Sequence, residues 1–121
     1  MSDNIKNIDD YRYTYLCYGG RLIMDSYKYF VKILKVISEE TRLKIIDMIS
    51  CGEMCACDIL DKLRISQSTL SYHMNLLTNS GLVDVRKDGT WMKYKLNEKK
   101  FDELKSFIEN ISSKKPNCIC K

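Results

Sequence analysis

At 121 residues, the chain is long enough for one domain with one hydrophobic core and too short for two. Hydrophobic residues make up 45% and charged residues 30%, an ordinary globular balance, and no apolar run approaches the ~20 residues that a membrane-spanning helix needs. The formal net charge of +4 is uneven: residues 62–100 hold 8 Lys/Arg against 3 Asp/Glu, whereas residues 1–61 hold 8 against 10.

Residues 1–25 read as an N-terminal extension, partly helical. Its start, "MSDNIKNIDDYRYTYL", is polar and lacks the basic-then-apolar layout of a secretory signal, so a cytoplasmic protein is expected. The six cysteines are then expected to be reduced thiols. Gly19-Gly20 would end any helix begun before them. From Ser26, Phe30, Ile33, Leu34 and Ile37 fall on one helical face. Ser38 is the expected N-cap of a second helix, with Glu39 and Glu40 in its first turn and Leu43, Ile46 and Ile49 inward. That helix stops near Gly52.

A third helix is expected from about Cys55 to Leu63, with Ala56, Ile59, Leu60 and Leu63 inward, and Arg64-Ile65 as the turn. Ser66 caps a fourth helix that runs to about Asn79 and ends at Gly81. "LVDVRK" and "TWMKYKL" read as strands joined at Asp88-Gly89, a hairpin signal. A last helix, about Glu98 to Ser112, presents Phe101, Leu104, Ile108 and Ile111. Residues 113–121 form a flexible, cysteine-containing tail. Residues 26–112 thus make a mostly α domain with a β-hairpin wing, a winged helix-turn-helix for DNA binding.

In such a fold the second helix of the motif enters the major groove. On residues 66–79, Leu70, Met74 and Leu77 pack inward. Gln67, Ser68, Thr69, Ser71, Tyr72 and Asn75 are left to address bases and phosphates, where a merely solvated helix would carry Glu and Lys. His73, the only histidine, either joins them or packs at the edge of the core. Arg86, Lys87 and Lys93 on the hairpin suit neighbouring phosphates. A solvated basic face is the alternative.

"CGEMCACDIL" places Cys51, Cys55 and Cys57 close together. Thiolates suit soft, thiophilic ions and not magnesium or calcium. On a regular helix, residues two apart point about 200° away from each other. Cys55 and Cys57 can therefore share an ion only if the helix start is unwound, which is cheap near Gly52.

"SEETRLKIIDMI", "GEMCACDIL", "SQSTLSYHMNLLTNSGLV" and "RKDGTWMKYKL", in that order, closely resemble the ArsR/SmtB family of metal-responsive winged-helix repressors. The resemblance implies a homodimer built by the first and last helices, bound to an imperfectly palindromic double-stranded operator without any cofactor and released by its ion. "EMCACDIL" is similar to the arsenic-site pattern E-L-C-V-C-D-L-C, which implies As(III) or Sb(III) as inducer, held by Cys55 and Cys57. The pattern's third cysteine falls on Leu60, so the third thiolate is open among Cys17, Cys51 and the Cys118/Cys120 pair of either chain. Cys17 ranks slightly ahead of Cys51, because Gly52 can turn Cys51 toward the core, where free cysteines are common, and because the family's cadmium/lead sensors complete a C-V-C pair with N-terminal cysteines. "FDELKSFIENI" lacks the histidines that related sensors use for zinc.

The leading expectation is a metalloid-released repressor. The alternatives within the fold are Cd(II)/Pb(II) sensing, or redox or persulfide sensing by a Cys55/Cys57 dithiol. A soft-metal carrier without DNA binding is a different class, opposed by the polar helix and basic wing. No cysteine–histidine arrangement, P-loop or nucleotide fingerprint supports an enzyme.

Overall fold

The structure, a computed structural model, describes the backbone of residues 20–114 and the side chains from Tyr27 onward. Its elements are α1 (Gly20–Ile37), α2 (Glu40–Ile49), β1 (Met54–Cys55), α3 (Ala56–Leu63), α4 (Gln67–Asn79), β2 (Val83–Asp88), β3 (Trp91–Leu96) and α5 (Glu98–Ser112). Helix α1 begins at Gly20 rather than at Ser26, so six residues expected in the extension are helical. No helix among the described residues is long and apolar enough to cross a membrane.

Two compact units divide the described chain. Residues 33–101 form one; residues 20–32 with 102–114 form the other. In the first, Ile45 and Ile49 of α2, Ile59 of α3, Leu70, Met74 and Leu77 of α4, and Leu82 and Val83 supply buried apolar side chains. In the second, the Phe30 and Phe107 rings stack with centroids 4.2 Å apart, and Tyr27 meets Phe107 edge-on at 6.1 Å.

Helix α2 is rotated from its expected face. Arg42, Ile45 and Ile49 are buried, whereas Leu43 is 50% exposed and Ile46 half-buried. The inward stripe starts with a cation, so a search for apolar spacing misses it. The N-cap is Glu39, not Ser38: its carboxylate accepts from the Arg42 backbone N–H at 2.9 Å. Ser38 instead donates its hydroxyl to the Lys35 carbonyl. Ser66 caps α4 as expected, accepting from the Thr69 N–H at 3.1 Å. In α5, Leu104 and Phe107 are buried and Phe101 is half-buried, but Ile108 and Ile111 are 43% and 52% exposed.

The sheet is antiparallel, ordered β1-β3-β2. Asp88 pairs with Trp91, which leaves Gly89-Thr90 as the two-residue loop, one position later than expected. Gly89 sits at φ +66°, where an L side chain is strained. Strand β1 is the unexpected part, because two residues are too few to display strand alternation. It pairs Met54 with Tyr94 and Cys55 with Lys93.

Candidate metal centre and nucleic-acid interface

Cys55 is the N-cap of α3 and has extended backbone angles, φ −85° and ψ 159°. It therefore belongs to β1 and not, as expected, to the helix. This removes the geometric obstacle in the sequence. An extended residue does not follow the 100° helical rotation, so its side chain can meet that of Cys57 in the first turn. The Cα atoms are 5.4 Å apart and the two sulfurs are joined as a disulfide, where reduced thiols were expected.

Asp58 is the neighbour that sequence reasoning missed. Its carboxylate and the sulfurs of Cys55 and Cys57 lie within 4.8 Å of one another, and all three have exposed or half-buried side chains. The signal was its place in the first turn of α3, where backbone N–H groups favour negative charge. Cys51 is exposed, against the expectation that Gly52 can turn it toward the core, and it stands outside this group. Cys17, Cys118 and Cys120 lie outside the described residues.

A three-residue turn, 64–66, joins α3 to α4. Arg64 in it adopts the left-handed conformation at φ 58°. On α4, Gln67, Ser68, Ser71, Tyr72 and Asn75 are all exposed, Tyr72 by 60%. Thr69 is exposed too, but its hydroxyl accepts from Ser66 at 2.8 Å and serves the helix cap. His73 does not face outward with them. It is buried, and its Nδ1 lies 2.9 Å from Nη1 of the buried Arg42.

Within the hairpin, Arg86 is the cross-strand partner of Lys93, so both project from one face, while Lys87 projects from the other. Arg86 donates Nε and Nη2 to the two carboxylate oxygens of Glu53 at 2.8 and 2.9 Å. This hydrogen bond holds the Glu53 carboxyl below its ordinary range and raises the Arg86 guanidinium. Asp88 lies 3.5 Å from Lys93 and 3.8 Å from Arg86. Lys87 stands exposed.

The arrangement thus sets a polar helix and a basic hairpin beside a cysteine pair with an acidic neighbour. Comparison with known proteins agrees with it. The pattern described as bacterial regulatory protein, arsR family, matches residues 39–85. The arsenical resistance operon repressor of Staphylococcus aureus is 44% identical over 96 residues, covering 79% of this chain and 92% of the relative. The cadmium resistance transcriptional regulatory protein CadC homolog of the same organism is 36% identical over 80 residues, 64% of this chain and 66% of that one. Among solved structures, a homodimeric winged helix-turn-helix DNA-binding domain from Mycobacterium bovis aligns with a TM-score of 0.63 at 22% identity, over 77% of this chain and 84% of that one. This chain belongs to the arsR family of bacterial regulatory proteins, as a winged helix-turn-helix transcriptional repressor and not an enzyme.

Proposed function

We propose that this chain represses an arsenical resistance operon and leaves its operator when As(III) or Sb(III) is captured by the thiolates of Cys55 and Cys57. The observation that carries the reading is the convergence of Cys55, Cys57 and Asp58 at the start of α3, one short turn from α4. The arsenical repressor relative at 44% identity supports the choice of ion.

Once the disulfide is reduced, two thiols condense with As(OH)3, forming two As–S bonds and releasing two waters. The third position keeps a hydroxyl, or takes the Asp58 carboxylate, or takes a thiolate from Cys17, Cys118 or Cys120. Three anionic ligands and a trivalent ion sum to zero charge, so release comes from geometry and not from added negative charge. Operator binding itself needs no ion. Gln67, Ser68, Ser71, Tyr72 and Asn75 address the major groove, with Arg86, Lys87 and Lys93 on phosphates.

The working unit is a homodimer. Tyr27 and Val31 on α1 and Ile108 and Ile111 on α5 are apolar side chains between 43% and 52% exposed, and such surfaces mark association sites. Two-fold symmetry would then place two α4 helices about one DNA turn, ~34 Å, apart on an imperfect palindrome.

The Cys55–Cys57 disulfide favours a second reading, in which oxidation or persulfidation of this pair is the signal. A carboxylate beside two thiolates also accommodates Cd(II) or Pb(II). The deciding experiment is operator-duplex fluorescence anisotropy with reduced protein, titrated separately with arsenite, antimonite, cadmium, lead and zinc. Release at stoichiometric arsenite or antimonite, lost in Cys55→Ser and Cys57→Ser while DNA affinity persists, is the expected result. Release by cadmium or lead alone would overturn the metalloid reading. Release by none, with a response to oxidant, would establish the redox one.

A further inference from the structure

We infer that Glu53 is the positioning residue through which the thiol site acts on the wing. The inference rests on the functional reading above and adds the route from ion to DNA. Cys55 pairs with Lys93, and Lys93 pairs with Arg86, so one row of residues crosses all three strands from the candidate metal ligand to two wing cations. Side chains in such a row share a face of the sheet. Glu53, two residues before Cys55, holds Arg86 on that face.

The contact is a fork. Nε and Nη2 of Arg86 reach separate oxygens of Glu53 at 2.8 and 2.9 Å, which fixes the plane of the guanidinium as well as its position. An exposed ion pair contributes little to stability. Its consequence here is orientation. The Arg86 side chain remains 55% exposed, and Nη1, which Glu53 does not use, lies 3.8 Å from an Asp88 carboxylate oxygen, a longer contact that a phosphate would share or replace.

Closing a ring of As–S bonds draws Cys55 and Cys57 into a new spacing. Cys55 is paired through its backbone to β3 and joined through Met54 to Glu53, so both lie next to any movement it makes. A shift of Cys55 therefore displaces Glu53 and turns Arg86 with it. This route is separate from the turn that joins α3 to α4.

The test measures operator affinity with and without stoichiometric arsenite in full-length, reduced protein. The ratio of the two dissociation constants is the coupling. Arsenite binding is followed independently by the near-ultraviolet absorption of the As–S bonds. In Glu53→Gln the absorption should titrate as in the unaltered protein while the coupling ratio falls at least tenfold. Glu53→Asp keeps the charge but shortens the reach, and should behave likewise, which separates orientation from a change in net charge. Arg86→Gln should weaken operator binding and, combined with Glu53→Gln, bring no further loss of coupling.

Coupling ratios within twofold of the unaltered protein in both Glu53 variants, with arsenite bound, would overturn the inference and leave the functional reading intact. Unaltered protein that binds no arsenite would instead overturn the functional reading, and this route with it. Circular dichroism of each variant identifies any that fails to fold, and Glu53→Asp then decides alone.

Discussion

Nη1 of Arg42 donates to Nδ1 of His73 across 2.9 Å, tying α2 to the helix that would read DNA. An arginine can only donate, so Nδ1 is the acceptor and Nε2 carries the ring proton. Arg42 also donates Nε to the Val36 carbonyl, and Glu39 lies 3.9 Å from the same ring nitrogen. The histidine is therefore spent on placing α4. Removing it should leave a buried guanidinium short of an acceptor, costing about 2 kcal/mol. His73→Ala is expected to lower the urea midpoint accordingly, while the folded fraction keeps its operator affinity; a specific loss of affinity at unchanged stability would mean that His73 touches DNA.

The cap of α2 has a pH signature. The Arg42 backbone N–H lowers the Glu39 carboxyl below its ordinary 4.5, and the Arg86 side chain does the same for Glu53. Both carboxylates bind protons more weakly folded than unfolded. Their stabilisation is thus complete above the ordinary carboxylate range and is lost as pH falls through the lowered values. The melting temperature should drop on acidification below about pH 4.5, and Glu39→Gln, already lower at neutral pH, should show a shallower acid limb. An identical acid limb in the variant would remove Glu39 from the account.

Oxidation state should gate the response. A disulfide between Cys55 and Cys57 leaves neither sulfur a lone thiolate to bond arsenic. Protein treated with a small-molecule disulfide should bind operator but ignore arsenite, and dithiothreitol should restore release. Equal responses in both states would show that these sulfurs are not the capturing pair.

Asp58 and Cys51 make opposite predictions. Asp58 lies in the group with the two cysteines, so Asp58→Asn should weaken arsenite binding by roughly 10–100-fold, the range for groups that support a metal's ligands. Cys51 is exposed and outside the group, so Cys51→Ser should leave that affinity unchanged. Isothermal titration of arsenite into each reduced variant distinguishes them, and the reverse pattern would return the third position to Cys51.

Much of the architecture is readable from residue order because it rests on local chemistry. Ser66 with Gln67–Asn79, the inward Leu70, Met74 and Leu77, and the terminator Gly81 are signals within a single helix. The thiol site is only half readable. Cys55 and Cys57 stand out by spacing, whereas the first-turn place of Asp58 signals an acid that suits the helix start and not its approach to the two sulfurs.

What the sequence alone determined is the five helices, the two hairpin strands and their order, which follow from hydrophobic period, caps and turn residues, and the cysteine pair placed just before α4. Tertiary structure decided which face each element shows. The Arg42–His73 bond accompanies an α2 face that begins with a cation and takes His73 out of the outward set. Pairing with β3 keeps Cys55 extended, lets its sulfur meet Cys57, and brings Glu53 to Arg86. The Arg42–His73, Cys55–Lys93 and Glu53–Arg86 contacts join residues tens of positions apart, which local periodicity does not encode, because each depends on a partner that only the folded chain supplies.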